Sequence, residues 1–101
     1  NDFSNEIKEK AEFLKERIDT IINKFPELKG EARGRGLMQG IAVEQEGLAD
    51  EICAAAFKEG LIVETSGPKD EVVKFLPPLI IDEEGINQGM DLLEKSIQNV
   101  L

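Results

Sequence analysis

Glu64-Thr65-Ser66-Gly67-Pro68, followed after Lys69 by Asp70-Glu71-Val72-Val73-Lys74-Phe75-Leu76-Pro77-Pro78-Leu79-Ile80-Ile81, is the stretch on which the fold turns. Leu61–Thr65 reads as a short strand, and Ser66–Asp70 as a turn around the Gly-Pro pair. Glu71–Leu76 reads as a second strand, which must leave the ladder at Pro77-Pro78 because neither proline can donate to it. Two strands joined this tightly are antiparallel. Alternation puts Val72, Lys74 and Leu76 on one face and Val73 and Phe75 on the other. A lysine in the middle of an apolar strand needs an outlet. Lys74 can snorkel, pair with Glu64 across the hairpin, hold an anionic ligand or, in principle, form a Schiff base.

Upstream of the hairpin, Leu37–Glu44 reads as another strand, with Leu37, Ile41 and Val43 on one face and Met38 and Ala42 on the other. Gly40 inside it points to close approach by a second backbone, or a bulge. Gln45–Glu59 is expected to be a helix ended by Gly60 in the left-handed position. Its run Ile52–Phe57 is apolar almost all round, which predicts a sandwiched helix. Glu27–Gly36, with Gly30, Gly34 and Gly36, reads as a loop. Before it, Phe3, Ile7, Ala11, Leu14, Ile18, Ile21 and Phe25 form one apolar stripe on a helix from Asp2 to Lys24, capped by Asp2 or Ser4 and stopped by Pro26. The spacing is close to that of a coiled coil, but three heptads are few, and packing on the chain's own sheet is expected. Downstream, Asp82 caps a last helix, Glu83–Val100, with Ile86, Met90, Leu93, Ile97 and Val100 as its stripe.

The order helix, strand, helix, strand, strand, helix predicts an α+β fold: a leading helix, then a split β-α-β plait. Its sheet would be three-stranded and mixed or antiparallel, with the hairpin's second strand in the middle and the helices on one face. The whole chain, 1–101, is read as one domain, with 1–28 a leading helix and linker and 29–101 the sheet and its helices. Met38, Ala42 and parts of the hairpin leave the second sheet face partly apolar, so a partner is expected to cover it.

Composition narrows the chemistry. A net charge of −9 argues against nucleic acid and anionic membranes, since phosphate binding needs clustered Lys and Arg. There is no His, Trp or Tyr, which removes the commonest general base and metal ligand and any Ser/His or Cys/His nucleophile pair. A single cysteine, Cys53, forms no internal disulfide and suits a reducing compartment. No apolar run approaches a membrane span and no signal-peptide pattern opens the sequence, so a cytoplasmic location is expected. Gly34-Arg35-Gly36-Leu37-Met38-Gln39-Gly40 has neither the spacing of a dinucleotide fingerprint nor the Gly-Lys-Ser/Thr of a P-loop, and reads as a tight entry into a strand. Arg33 and Arg35 can clamp a carboxylate or phosphate, or stand solvated. Cys53 reads as a buried small hydrophobe, and the acidic pairs Glu44/Glu46, Asp50/Glu51 and Glu83/Glu84 as solvated faces and helix starts.

Three motifs in this order carry a family resemblance. They are Gly34-x-Gly36-Leu37-Met38-x-Gly40-Ile41, then Gly60-Leu61-Ile62 after a helix, then Val72-Val73-Lys74-Phe75-Leu76-Pro77-Pro78-Leu79. Together they resemble the C-terminal small domain of class III (omega) pyridoxal-phosphate aminotransferases of fold type I, over about Lys29 to Leu101. The string Glu64–Pro68 with Asp70–Lys74 most resembles members that exchange an amino group between diaminobutyrate and 2-oxoglutarate on the way to ectoine. The resemblance implies pyridoxal 5'-phosphate as cofactor of the intact enzyme, amino-acid and 2-oxo-acid substrates, a large cofactor-binding domain and a second subunit as partners. It also implies that this chain alone is inactive and holds no cofactor, because no segment matches the family's Schiff-base lysine, pyridine-facing aspartate or phosphate cup. Many members carry an arginine for a substrate carboxylate where Lys74 stands, so Lys74 is the expected substrate-binding residue, with Thr65 and Ser66 bordering the site. The competing expectation is a free-standing plait that binds a small ligand or a protein and regulates something else.

Overall fold

The computed structural model describes residues 2–61, 63–77 and 81–101, with side chains from Asn5 onward. The elements run α1 (Asp2–Lys24), a 3-10 turn (Pro26–Leu28), β1 (Glu31–Arg35), β2 (Met38–Ala42), α2 (Leu48–Lys58), β3 (Val63–Ser66), β4 (Val72–Phe75) and α3 (Glu83–Val100). The sheet has four strands in the order β1-β2-β4-β3, and each neighbouring pair is antiparallel. The expected middle position of the hairpin's second strand holds, and β2 and β3 run the same way on either side of it.

The three-strand count is corrected to four, and the sheet is antiparallel in every pairing. Glu31–Arg35, expected as loop, forms β1 and pairs with β2 from Glu31↔Ala42 to Arg35↔Met38. The two-residue link Gly36-Leu37 explains how. A tight hairpin favours a positive φ at its first turn residue, and Gly36 supplies φ +60°. Gly34, at φ +86°, lies so close to β2 that a Cβ would stand 2.1 Å from the Met38 carbonyl oxygen. Charge and glycine hide β1 in the sequence, because as an edge strand it places only Ala32 against the core.

Along β2 and β4, Ile41, Val43, Val73 and Phe75 face the helices and are buried with Val63 of β3. Leu14, Ile18 and Ile21 of α1, Ile52 and Ala56 of α2, and Ile86, Met90, Leu93 and Ile97 of α3 close over them. Two residues from the expected stripe of α1, Ile7 and Ala11, are only half-buried, and Phe3 lies outside the described side chains. The helix packs on its own sheet, as expected. Arg17 and Lys24 reach from α1 to Asp91 and Glu94 of α3, at 2.8 and 3.1 Å. Asp82 caps α3, its Oδ1 accepting from the Gly85 N–H at 2.8 Å.

Helix α2 departs from expectation. It begins at Leu48, behind Gly47 at φ +81°, instead of at Gln45. Only Leu48, Ala49, Ile52 and Ala56 are buried, while Ala54 is exposed and Phe57 is 71% exposed. It is therefore covered on one side and not sandwiched. Gly60 ends it at φ +87°, the left-handed position anticipated for it. Strand β4 stops at Phe75, before the prolines; Pro78, Leu79, Ile80 and Ile62 lie outside the described residues.

Candidate functional site

The sheet face turned away from the helices gathers three cationic side chains, Arg33, Arg35 and Lys74. Register defines it. Arg33 pairs with Gly40, Gly40 with Lys74 and Lys74 with Glu64, a row across all four strands. The next row runs Glu31, Ala42, Val72, Ser66, and Arg35 and Met38 stand on the other side. A cleft of about 540 Å³ lies over these rows, between Arg33, Arg35, Lys74, Ser66 and Glu71, with Gly40 among its lining residues. No helix fills it, and Met38 on its wall is 57% exposed.

Gly40 permits the cleft. A Cβ there would sit 2.4 Å from the Val73 carbonyl oxygen and 3.0 Å from the Lys74 Cα. The close backbone approach expected from the sequence is thus realised, and the middle of the row has no side chain. Neighbouring strands are spaced about 4.8 Å apart, so Arg33 and Lys74 are about 10 Å apart at the backbone with open space between.

Lys74 is half-buried, and among the described residues it makes no ion pair or hydrogen bond. The pairing with Glu64 is present as register but not as a salt bridge. Arg33 meets Glu31 at 3.3 Å, an exposed pair of little energetic weight. The turn beside the cleft is held by Glu71, whose carboxylate accepts from the Lys69 N–H at 2.8 Å. That carboxylate fills the space where Gly67 has no side chain: a Cβ there would stand 2.5 Å from Glu71 Oε1. At the other end, Gln39 is buried and donates to the Ala11 and Gly36 carbonyl oxygens, at 3.0 and 2.6 Å.

Of the three residues singled out from the sequence, the structure brings Lys74 and Ser66 to this cleft. Thr65 pairs with the core residue Val73 and so belongs to the opposite, helix-covered face. Glu71 and Gln39 are not read from the sequence as parts of a site, and Arg33, a candidate clamp for a carboxylate or phosphate, is not placed there beside Lys74. The available signal was the alternation Glu31-x-Arg33-x-Arg35, which is that of a strand with one charged face. Cys53 is half-buried on α2, and burial, with Asp50 and Glu64 adding, pushes its thiol up to about 11. Such a thiol is a poor nucleophile. Among the described residues no cluster of carboxylates and cysteine could hold a metal ion, and no helix is long and apolar enough to cross a membrane.

Comparison with known proteins places the chain as a whole in a family. The aminotransferase class-III family profile matches residues 1–97. The diaminobutyrate–2-oxoglutarate transaminase of Virgibacillus pantothenticus is 66% identical over 101 residues, which is 100% of this chain and 24% of that protein. The enzyme of the same description from Oceanobacillus iheyensis is 64% identical over 98% of this chain and 23% of its own length. Among solved structures, N-acetylornithine aminotransferase from Stenotrophomonas maltophilia superposes with a TM-score of 0.85 at 28% identity, over 98% of this chain and 27% of that one. Lysine aminotransferase from M. tuberculosis superposes at 0.89 with 23% identity, over 98% and 22%, which shows the shared fold. The chain spans about a quarter of the length of the curated relatives it matches. With a profile match over nearly its full length and a sheet built on the same plan, the chain belongs to the class-III aminotransferase family.

Proposed function

We propose that residues 1–101 are the small domain of a pyridoxal-phosphate-dependent diaminobutyrate–2-oxoglutarate aminotransferase. In this reading the domain forms the substrate-carboxylate side of the active site. The observation that carries it is Lys74: a cation at mid-strand, facing an open cleft and free of protein partners among the described residues. A carboxylate held there gains a charge-assisted hydrogen bond. Ser66, two strand positions along the same hairpin, borders the cleft and can donate its hydroxyl. Thr65, on the other face, acts only through the strand that carries both.

The residues of this face do not fit the cofactor itself. A bound pyridoxal phosphate needs a carboxylate against its ring nitrogen and clustered N–H donors for its phosphate. The cleft offers three cationic side chains and Glu71, whose carboxylate is already engaged by the Lys69 N–H. The lysine, acid and phosphate cup are assigned to the three quarters of the enzyme's length that this chain does not span. That part, and a second subunit, are the partners that cover the open sheet face. The chain alone is inactive, and the intact enzyme works in the cytoplasm in ectoine-type amino-acid metabolism. Two features favour this over a free-standing regulatory plait: the family match and an exposed face that carries substrate-type chemistry.

The test is Lys74→Ala in the intact enzyme. Loss of one charged hydrogen bond is worth about 1.5–3 kcal/mol, so KM for a carboxylate substrate rises roughly 10- to 100-fold. Lys74→Arg, which keeps the charge and adds a bidentate fork, recovers that loss. The chain alone is incubated with pyridoxal phosphate, reduced with borohydride and mapped by mass spectrometry. A stoichiometric adduct at Lys74, or an unchanged KM in Lys74→Ala, overturns the reading.

A further inference from the structure

We infer that Arg33 and Lys74 hold a single carboxylate between them, and that this pair selects the dianionic 2-oxo acid over the diamino acid. The inference rests on the reading of Lys74 given above and adds a second cation and a direction of choice.

Three observations converge. Arg33, Gly40 and Lys74 are consecutive in one row, so the two cations flank a position with no side chain. Both line the same cleft, and both are long and flexible enough to lean over the glycine. The only ion partner of Arg33 among the described residues is Glu31, at 3.3 Å and exposed, which an incoming carboxylate displaces at little cost. The hairpin that carries Arg33 is in turn fixed, because Gln39 ties its turn to α1 through Gly36 and Ala11.

Charge then sets the preference. A 2-oxo diacid carries two negative charges at neutral pH, whereas a diamino monoacid carries two ammonium groups and one carboxylate. Arg33, Arg35 and Lys74 gather three positive charges over one cleft in a chain of net charge −9. They attract the diacid and repel the ammonium groups. Glu64 ends the row on the other side of Lys74 and carries the opposite preference, which places the diacid's carboxylate on the Arg33 side of Lys74.

The experiment measures KM for 2-oxoglutarate and for diaminobutyrate separately, in the intact enzyme carrying Arg33→Ala, Lys74→Ala and both. Glutarate, a diacid without a reacting carbonyl, serves as a competitive inhibitor and reports binding alone. Each single change is expected to raise KM for the oxo acid at least tenfold and to weaken glutarate in parallel. KM for the diamino acid stays within about twofold in Arg33→Ala. The double variant loses less than the product of the two single losses, because both residues hold the same group. Arg33→Lys restores most of the loss, and unchanged thermal midpoints exclude unfolding. Losses that multiply fully overturn the shared carboxylate, and equal losses for both substrates overturn the selectivity. If Lys74→Ala raises KM while Arg33→Ala does nothing, the pair fails and the role of Lys74 stands. If Lys74→Ala does nothing, the reading beneath it fails as well.

Discussion

Gln39 donates its side-chain N–H to the Ala11 carbonyl oxygen 3.0 Å away, which fastens strand β2 to the middle of helix α1. The same nitrogen reaches the Gly36 carbonyl oxygen at 2.6 Å. One buried amide therefore sets how the β1–β2 turn sits against the helix. Gln39→Leu keeps the bulk and removes both bonds. It should lower stability by about 1–3 kcal/mol, read as a shift in the urea midpoint. Amides of β1 should exchange faster than those of β3. An unchanged midpoint would mean the two bonds add nothing to the fold.

Two glycines of the same hairpin should respond differently to alanine. At Gly36, φ is +60° and a Cβ meets nothing within 4 Å, so Gly36→Ala costs only the left-handed backbone, about 1–2 kcal/mol. At Gly34 the positive φ is joined by a clash with the Met38 carbonyl oxygen. Gly34→Ala should cost about 3 kcal/mol or more and disrupt the β1–β2 pairing. Equal midpoints for the two variants would contradict the close approach of β1 and β2.

Cys53 should react slowly with thiol reagents near pH 8 in the native chain and quickly in urea, because burial first, and then Asp50 and Glu64, hold its thiol up to about 11. The linkage has a definite sign. The unfolded thiol ionises around its ordinary 9.0 while the folded one keeps its proton to about 11. This contribution is complete below pH 9 and declines as pH rises from 9 to 11. Cys53→Ser should flatten that part of the stability profile. A native reaction rate equal to that in urea would show an open thiol.

Met90 of α3 is fully buried, whereas Phe57 of α2 is 71% exposed. Met90→Ala should destabilise by about 2–5 kcal/mol through the cavity it leaves. Phe57→Ser should stay within about 0.5 kcal/mol. Thermal unfolding of the pair checks both, and a large loss at Phe57 would place that ring in the core.

Helices α1 and α3 were legible because their apolar residues recur at helical spacing and their ends carry Pro26 and Asp82. The β3–β4 hairpin was legible from alternation around Gly67-Pro68, and the middle position of β4 followed from it. Strand β1 was not, because Arg33, Gly34 and Arg35 look like loop residues until pairing with β2 gives them a face. Phe57 misled in the opposite way. A helix apolar all round implies two covers, yet nothing among the described residues covers that ring. At the site, the sequence pointed to Lys74 through its apolar neighbours. It could not show that Arg33, forty-one positions earlier, would stand in the same row, since register is a property of pairing and not of composition.

The sheet is two local hairpins joined along one long-range seam, where β2 meets β4 from Gln39↔Phe75 to Ala42↔Val72. Each hairpin closes a short loop, but the seam unites residues about thirty or more positions apart. Closing it is therefore the slow, entropically costly step of folding. Gly40 lies on that seam, with Arg33 on one hairpin and Lys74 on the other. Any anion that bridges those two cations also clasps the hairpins together, so occupancy of the cleft and closure of the sheet become one thermodynamic event.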